Sequence, residues 1–213
     1  MKKKIVILIS GRGSNMQAIV EANIPNAEIC AIVSNDAQAE GIAWAKARGL
    51  ATHGLDHKEF PSREAFDQAL IKVIDFYRPD LVVLAGFMRI LTTPFCLRYE
   101  GRMINIHPSL LPSFPGLYTH QKALDLGCKV AGATVHFVTP QLDHGPIIAQ
   151  AVVPVLSGDT ADDLGKRILA IEHQIFPKAV AGIIAGNIRL DDKRVCVIND
   201  AAPTDANSQL ISF

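Results

Sequence analysis

Near its start the chain has the sequence Ile5-Val6-Ile7-Leu8-Ile9-Ser10-Gly11-Arg12-Gly13-Ser14-Asn15, and a fold class follows from it. Its first five residues are continuously apolar and mostly β-branched, which is typical of a strand buried on both faces. Ser14, followed three residues later by Gln17, fits a capping box and predicts a helix over 16–22. The stretch therefore predicts a strand, a glycine-rich turn and a helix in direct succession.

The turn between that strand and that helix has features of an anion site. Gly11 and Gly13 allow backbone amides to approach an anion closely, and the helix N-terminus adds its dipole. The turn lacks the third glycine of the dinucleotide fingerprint and the Gly-Lys-Ser/Thr of a P-loop. The geometry favours a phosphate site, and a plain tight turn is the alternative.

Strands and helices alternate over roughly the first 150 residues, which predicts an α/β fold. We expect a Rossmann-like, mostly parallel sheet with helices on both faces, in a single domain. Residues 1–187 would form its main body, and residues 188–213 a C-terminal hairpin with a loose tail packed on it. The strands are expected near 5–9, 28–34, 51–55, 81–85, 133–138 and 147–155, with a further short apolar segment that ends at 105–107, and the helices near 16–22, 41–48, 62–77, 121–126 and 160–184.

Individual residues predict where two of these helices begin and how one continues. Ser62 is expected as the N-cap of the third helix, and Thr160 or Asp159 as the N-cap of the last one. Pro177 lies inside the last helix and is expected to kink or divide it, because proline lacks the amide proton that helices need.

Composition excludes several classes of protein. The formal net charge is zero, which gives no reason to expect a nucleic-acid or membrane partner. The four cysteines are far apart in sequence, which argues against a zinc site or a disulfide framework and fits a reducing compartment. The N-terminal lysines precede an apolar run too short for a signal peptide or a membrane span, so we expect a cytoplasmic protein.

A second decisive stretch runs from Gly101 to Gly116, in which a short apolar segment ends in Asn105-Ile106-His107 and runs into a loop rich in Pro, Ser and Gly. In a strand, Asn105 and His107 point to the same side and Ile106 faces the core. A carboxamide beside an imidazole can hold a carbonyl oxygen and move a proton. The alternative is a polar strand end with a structural histidine.

Further candidate residues lie in two loops, in one predicted strand and at the start of one predicted helix. The apolar loop 86–91 either lines a pocket for a flat aromatic ligand or is part of the core. His136 is expected to be a hydrogen-bonded structural histidine, and Arg63 a solvated surface residue or a ligand contact. Asp143 is a turn residue unless the fold brings it to His107. In parallel sheets ligands bind at the carboxyl ends of strands, so one edge would gather the Gly13 turn, the loop at Met88 and the pair Asn105 and His107.

Four motifs together resemble the phosphoribosylglycinamide formyltransferase family of purine biosynthesis. They are Gly-Arg-Gly-Ser-Asn at 11–15, Leu-Ala-Gly-Phe-Met-Arg-Ile-Leu at 84–91, Asn-Ile-His-Pro-Ser-Leu-Leu-Pro at 105–112 and Leu-Asp-x-Gly-Pro at 142–146. They occur in the family's order and spacing over nearly the whole chain. Tyr118 stands where some members have histidine, and Arg12 and His144 occupy positions that vary in the family.

The resemblance implies an activity and a set of site residues. The activity is transfer of the formyl group of 10-formyltetrahydrofolate, a co-substrate, to the amine of glycinamide ribonucleotide, in a catalytic domain over 1–187 and without a metal. The implied catalytic residues are Asn105, His107 and Asp143. The ribonucleotide would bind at Gly13, Ser14, Asn15 and Glu172, and the folate at Arg63, Met88, Arg89, Ile90, Leu91, Asn105, Thr139, Pro140, Gln141, Leu142 and Asp143.

The chemistry explains why those three catalytic groups are needed. Attack of an amine on a formyl carbon develops a negative oxygen, to which Asn105 and His107 can donate hydrogen bonds. Such preorganised donors are worth about 2.7–4 kcal/mol each. The proton lost by the amine and gained by the folate nitrogen can pass through His107 coupled to Asp143. The expected partners are these small molecules only, and the expected assembly is a monomer or homodimer.

Other enzymes remain as competing hypotheses. Methionyl-tRNA formyltransferase has the same three polar residues but adds a tRNA-binding domain, and this chain is not basic. Formyltetrahydrofolate deformylase adds a regulatory domain. A nicotinamide-binding module is disfavoured by the missing glycine, and a metal hydrolase by the spacing of the histidines.

Overall fold

The computed structural model describes residues 2–192, 194–197 and 211–212. Its strands are β1 (Lys3–Ile9), β2 (Ala27–Ser34), β3 (Thr52–Gly54), β4 (Leu81–Leu84), β5 (Met103–His107), β6 (Val130–Phe137), β7 (Ile147–Pro154), β8 (Ile188–Asp191), β9 (Arg194–Val197) and β10 (Ile211–Ser212). Its α-helices are α1 (Ser14–Glu21), α2 (Glu40–Ala47), α3 (Arg63–Tyr77), α4 (Thr93–Arg98), α5 (Thr119–Asp125) and α6 (Ala161–Ala185).

Eight of these strands form one sheet in the order β10-β7-β6-β5-β4-β1-β2-β3. Five neighbouring strands of this sheet, β5, β4, β1, β2 and β3, are parallel to one another. This confirms the predicted α/β, mostly parallel architecture. The alternation also predicts parallel strands up to residue 150, and that is wrong for β6 and β7. The connection between them is too short for a crossover helix, so the two strands form an antiparallel hairpin.

Helices cover both faces of the sheet. Side chains of β1 alternate between two hydrophobic clusters, with Ile5, Ile7 and Ile9 on one face and Val6 and Leu8 on the other. The first cluster includes residues of α1, α2, α5 and α6, and the second residues of α3 and α4. This burial on both faces explains why β1 has a continuous apolar sequence.

The start of α1 differs from the prediction. The helix begins at Ser14, and the N-cap is Gly13 with no side-chain hydrogen bond, so the Ser14–Gln17 capping box is wrong. Gln17 Nε2 instead donates to the carbonyl of Arg12 at 3.1 Å. Gly13 has a φ of 70°, a conformation that glycine adopts without steric cost.

The caps of α3 and α6 agree with the sequence. Ser62 Oγ accepts a hydrogen bond from the amide of Ala65, and Thr160 forms a capping box with Asp163. Pro177 does not divide α6, which continues through it from Ala161 to Ala185. By length and composition α6 could cross a membrane, but it packs on α1, β6 and β7 inside the fold.

At the C-terminal end, β8 pairs antiparallel with β9 in a hairpin, at the place where the sequence predicts one. Ile188 begins it and is buried in the same core as α6. The prediction of a loose tail falls mostly on residues 198–210 and 213, which lie outside the described residues. Within that tail, Ile211–Ser212 pairs with β7 as a short edge strand.

Replacement of Thr160 by alanine tests the capping box. The variant loses the Thr160 hydroxyl, which accepts a hydrogen bond from the Asp163 amide and donates one to the Asp163 carboxylate. We therefore expect the free energy of unfolding to fall by about 1 kcal/mol. Urea titration measures it. Lys166→Ala removes an exposed ion pair on the same helix and should change stability by less than about 0.5 kcal/mol. Equal effects of the two substitutions would contradict the assignment.

Candidate active site

The loops that follow β1, β4 and β5 meet at one edge of the sheet, as predicted. The pairing of β1 with β4 and of β4 with β5 brings their carboxyl ends together, with Leu84 opposite Asn105. Ser10 Oγ accepts a hydrogen bond from the backbone amide of Met88 at 2.7 Å, which joins the glycine-rich turn to the loop after β4.

The glycine-rich turn borders an open cavity of about 260 Å³. The cavity is lined by residues 10–15 together with Ala85, Gly86 and Met88. A Cβ atom on Gly13 would lie 3.0 Å from Met16 Cε, so the turn has no room for a larger residue there. Gly41 at the start of α2 approaches the same turn, and its amide donates to the carbonyl of Gly11 at 3.1 Å. The sequence analysis missed this glycine.

Asn15 and Glu172 form a buried pair between α1 and α6. Asn15 Nδ2 donates to Glu172 Oε2 at 2.7 Å, while Asn15 Oδ1 is buried and has no partner among the residues that the structure describes. Burial raises the pKa of Glu172 to about 7, although the hydrogen bond from Asn15 acts in the opposite direction. The carboxyl group of Glu172 therefore changes charge near neutral pH.

The structure brings Asp143 to His107, which lies at the end of β5. Asp143 Oδ2 lies 3.5 Å from His107 Nδ1, and both side chains are 7 % exposed. The same carboxylate oxygen accepts a hydrogen bond from the amide of Gly116 at 2.8 Å. Asp143 has a φ of 53°, so its position in the loop depends on a left-handed turn. It is more than an ordinary turn residue.

The loop after β5 closes over the imidazole. His107 Nε2 lies 2.9 Å from the carbonyl oxygen of Phe114, to which it can donate. Ser109 Oγ donates to the carbonyls of Ser113 and Phe114 and fixes the same loop. His107 Nε2 is thus hydrogen-bonded to the loop, while Nδ1 faces the carboxylate of Asp143.

Asn105 lies on the same side of β5 as His107, and Ile106 faces the core at 5 % exposure, as predicted. Asn105 Nδ2 lies 3.2 Å from Nε2 of His136 on β6. His136 is hydrogen-bonded, as predicted, but its partner is the carboxamide at the centre of the candidate site.

The candidate folate residues form a partly exposed rim. Within loop 86–91, Phe87 is buried in the core, whereas Met88 and Ile90 are 65 % and 57 % exposed. The loop is therefore part of the core at Phe87, whereas Met88 and Ile90 face solvent. Arg89 Nε is buried and has no acceptor within the described part of the chain to which it could donate a hydrogen bond. Of the remaining candidates, Leu91 and Thr139 are half-buried, and Arg63, Pro140, Gln141 and Leu142 are exposed.

Asp67 is a buried polar residue of this region that the sequence analysis missed. Its side chain on α3 accepts a hydrogen bond from the amide of Thr92 at 2.7 Å and so anchors the end of the loop after β4. Its position inside an amphipathic helix gives no signal of that contact.

A second cavity of about 280 Å³ borders the loop after β5. It is lined mainly by apolar residues, among them Phe114, Cys128 and Ile168.

Comparison with known proteins shows to which family the chain belongs. Residues 3–180 match the formyl transferase family model. The chain is 50% identical over 191 residues to phosphoribosylglycinamide formyltransferase from Escherichia coli, covering 88% of this chain and 90% of that protein. The chain belongs to the phosphoribosylglycinamide formyltransferase family. The resemblance seen in its four motifs is thereby confirmed.

Other members of the phosphoribosylglycinamide formyltransferase family agree in sequence and in structure. The family member from Coxiella burnetii superposes with a TM-score of 0.88 at 45% identity, over 92% of this chain and 94% of that one. The human trifunctional purine biosynthetic protein adenosine-3 is 42% identical over 203 residues, which cover 93% of this chain and 20% of that protein. This chain therefore matches about one fifth of that longer protein.

Proposed function

We propose that this formyltransferase transfers the formyl group of 10-formyltetrahydrofolate to the amine of glycinamide ribonucleotide in purine biosynthesis. The supporting observation is the meeting of Asn105, His107 and Asp143 at the sheet edge that also holds the glycine-rich turn. Family membership supports the same activity. The site residues below are part of this proposal, with residues 1–187 as the catalytic domain.

The ribonucleotide is proposed to bind with its phosphate on the turn at Gly13, Ser14 and Asn15. Backbone amides at the N-terminus of α1 supply hydrogen bonds and a favourable dipole for an anion. The cavity of about 260 Å³ at this turn gives the phosphate space. Glu172 contacts Asn15 and is proposed to bind the glycinamide part through its carboxylate.

The folate is proposed to bind along the rim after β4 and β6. Exposed apolar side chains of Met88, Ile90 and Leu142 suit a flat aromatic ring, and the unpartnered Arg89 Nε offers a donor to a polar ligand atom. The residues present therefore fit the ligand. We assign the contacts to Arg63, Met88, Arg89, Ile90, Leu91, Asn105, Thr139, Pro140, Gln141, Leu142 and Asp143.

Formyl transfer is proposed to occur by direct attack. The amine nitrogen of the ribonucleotide forms a bond to the formyl carbon, and the bond from that carbon to the folate nitrogen then breaks. Asn105 and His107 donate to the developing oxyanion, for which His107 exchanges its hydrogen bond to Phe114. The amine loses a proton and the folate nitrogen gains one, with His107 and Asp143 moving it directly or through water.

A spectrophotometric assay tests this function. Purified protein is supplied with 10-formyltetrahydrofolate, and tetrahydrofolate release is followed with and without glycinamide ribonucleotide. We expect release only when the ribonucleotide is present. Release at the same rate without it would indicate a deformylase and would contradict the proposal.

The proposed setting is the cytoplasm, with these two small molecules as the only ligands and with a monomer or homodimer as the assembly. A formal net charge of zero supports the absence of a nucleic-acid partner. Among the residues that the structure describes, no group of three His, Cys, Asp or Glu side chains is placed to hold a metal ion. Light scattering after size exclusion measures the assembly.

Substitution of Gly13 by alanine tests the phosphate turn, with Gly49→Ala as a matched control. Both glycines have φ near 70°, so each variant should lose about 1 kcal/mol of stability from the left-handed backbone, and Gly13→Ala should lose more because its Cβ would lie 3.0 Å from Met16 Cε. Of these two glycines, Gly13 lines the cavity and Gly49 does not. Gly13→Ala should therefore weaken ribonucleotide binding by about tenfold, and Gly49→Ala should leave it unchanged. Calorimetric titration measures both dissociation constants. Equal affinities in the two variants would remove the turn from the binding site.

A further inference from the structure

His136 and Asn105 are direct partners in the antiparallel pairing of β5 with β6. Side chains of directly opposed residues lie on the same face, so the imidazole stands beside the carboxamide. His136 Nε2 lies 3.2 Å from Asn105 Nδ2, and His136 is 2 % exposed. A buried contact of this kind restricts the rotation of the Asn105 side chain.

The second ring nitrogen of His136 fixes its tautomer. His136 Nδ1 lies 2.9 Å from the carbonyl oxygen of Phe137, and a carbonyl can only accept a hydrogen bond. In the neutral ring Nδ1 therefore holds the proton and Nε2 has a lone pair. Asn105 must then turn its NH₂ group, and not its oxygen, toward His136. The second N–H of that group remains available to another acceptor.

The environment of His136 supports the neutral ring. Burial lowers its pKa, and the nearby imidazole of His107 acts in the same direction. Two contacts raise the pKa of His136 instead. They are the hydrogen bond to Phe137 and the carboxylate of Asp143, whose Oδ1 lies 3.9 Å from His136 Nε2. Asp143 from the loop after β6 and His107 from β5 are the titratable groups that influence the His136 ring.

Gly145 explains how the Phe137 carbonyl reaches its position. A Cβ atom on Gly145 would lie 1.6 Å from the Phe137 oxygen and 3.3 Å from His136 Nδ1. The amide of Phe137 donates to the carbonyl of Pro146 at 2.9 Å, which holds the same loop against β6. The glycine of the Leu-Asp-x-Gly-Pro motif is thus required by this close approach, and that loop also supplies Asp143.

We propose that His136 is a positioning residue, which orients the carboxamide of Asn105 so that its free N–H points to the formyl oxygen. This proposal rests on the proposed formyl transfer. It extends the set of residues needed for the reaction to one that touches neither substrate. Phe137, His136 and Asn105 then form a chain of hydrogen bonds that ends at the reacting oxygen.

Two substitutions separate this role from simple packing. His136→Gln places an oxygen near the position of Nε2 and should keep kcat within about threefold of wild type. His136→Leu has no acceptor, so kcat should fall on the order of tenfold or more, with both KM values unchanged. In a protein that already carries Asn105→Ala, adding His136→Leu should lower kcat no further, because the group that His136 orients is absent. Independent, multiplying losses would overturn the proposal, as would an unchanged kcat in His136→Leu.

Nitrogen NMR of the wild-type protein tests the proposal without any variant, and so remains decisive if His136→Leu does not fold. With ¹⁵N-labelled histidine, we expect His136 as the neutral Nδ1–H tautomer from pH 6 to 8. A protonated ring or the Nε2–H tautomer would overturn the proposal. Because this measurement needs no substrate, it is independent of the ribonucleotide-dependent release assay that tests the proposed function.

Discussion

Substitution of Asp143 by asparagine will lower kcat on the order of 10²-fold or more, because it removes the negative charge beside His107. Asparagine keeps the shape of the side chain and can still accept the hydrogen bond from Gly116, so the loop should keep its position. The loss should therefore appear in kcat and leave the dissociation constants of both substrates nearly unchanged. Steady-state kinetics at saturating concentrations of both substrates measure it.

A matched control and a double variant sharpen this prediction. Asp125→Asn changes an exposed carboxylate on α5 and should leave kcat unchanged. His107→Ala should lose about as much activity as Asp143→Asn, and the double variant should be little worse than either, because paired catalytic groups act as a unit. An unchanged kcat in Asp143→Asn would remove Asp143 from the mechanism.

Substitution of Glu172 by glutamine will change how stability depends on pH. Burial raises the pKa of Glu172 from 4.5 to about 7, so the folded state binds its proton more tightly than the unfolded state. This contribution to stability is fully present below pH 4.5 and is lost as the pH rises through about 7. Glutamine avoids the cost of a buried charge, so the variant should gain on the order of 3 kcal/mol over wild type between pH 4.5 and 8.

Urea titrations at several pH values measure that gain. Glu100→Gln, which changes an exposed glutamate, should show no such pH-dependent difference from wild type. Loss of the charge in Glu172→Gln should also weaken ribonucleotide binding, by about tenfold at pH 8. A stability difference that does not depend on pH would show that Glu172 keeps its ordinary acidity in the folded protein.

Much of the fold could be predicted because local patterns determine it. The continuous apolar run of β1, the N-caps at Ser62 and Thr160 and the strand end at Asn105 each reflect short-range chemistry. The direction of a strand is different, since the same residues fit a parallel or an antiparallel neighbour. The sequence therefore predicted β6 and β7 as strands but not as an antiparallel pair.

The candidate site shows the same division between local and distant information. Asn105 and His107 were placed together by strand periodicity, whereas Asp143 reached them only through the resemblance to a family. The contacts of Asn15 with Glu172 and of Asn105 with His136 join residues far apart in sequence. Neither spacing nor composition encodes such contacts, because they depend on strand register and on how α6 packs on α1.

The central claim is that the formyl group passes directly between two small molecules at Asn105, His107 and Asp143. A single-turnover rapid-quench experiment with donor labelled in the formyl group tests it most directly. We predict that label leaves the folate and appears on glycinamide ribonucleotide at one rate, with none on the protein, and that Asp143→Asn slows this step. Label bound to the protein before it reaches the ribonucleotide, or transfer at the wild-type rate in Asp143→Asn, would contradict the claim.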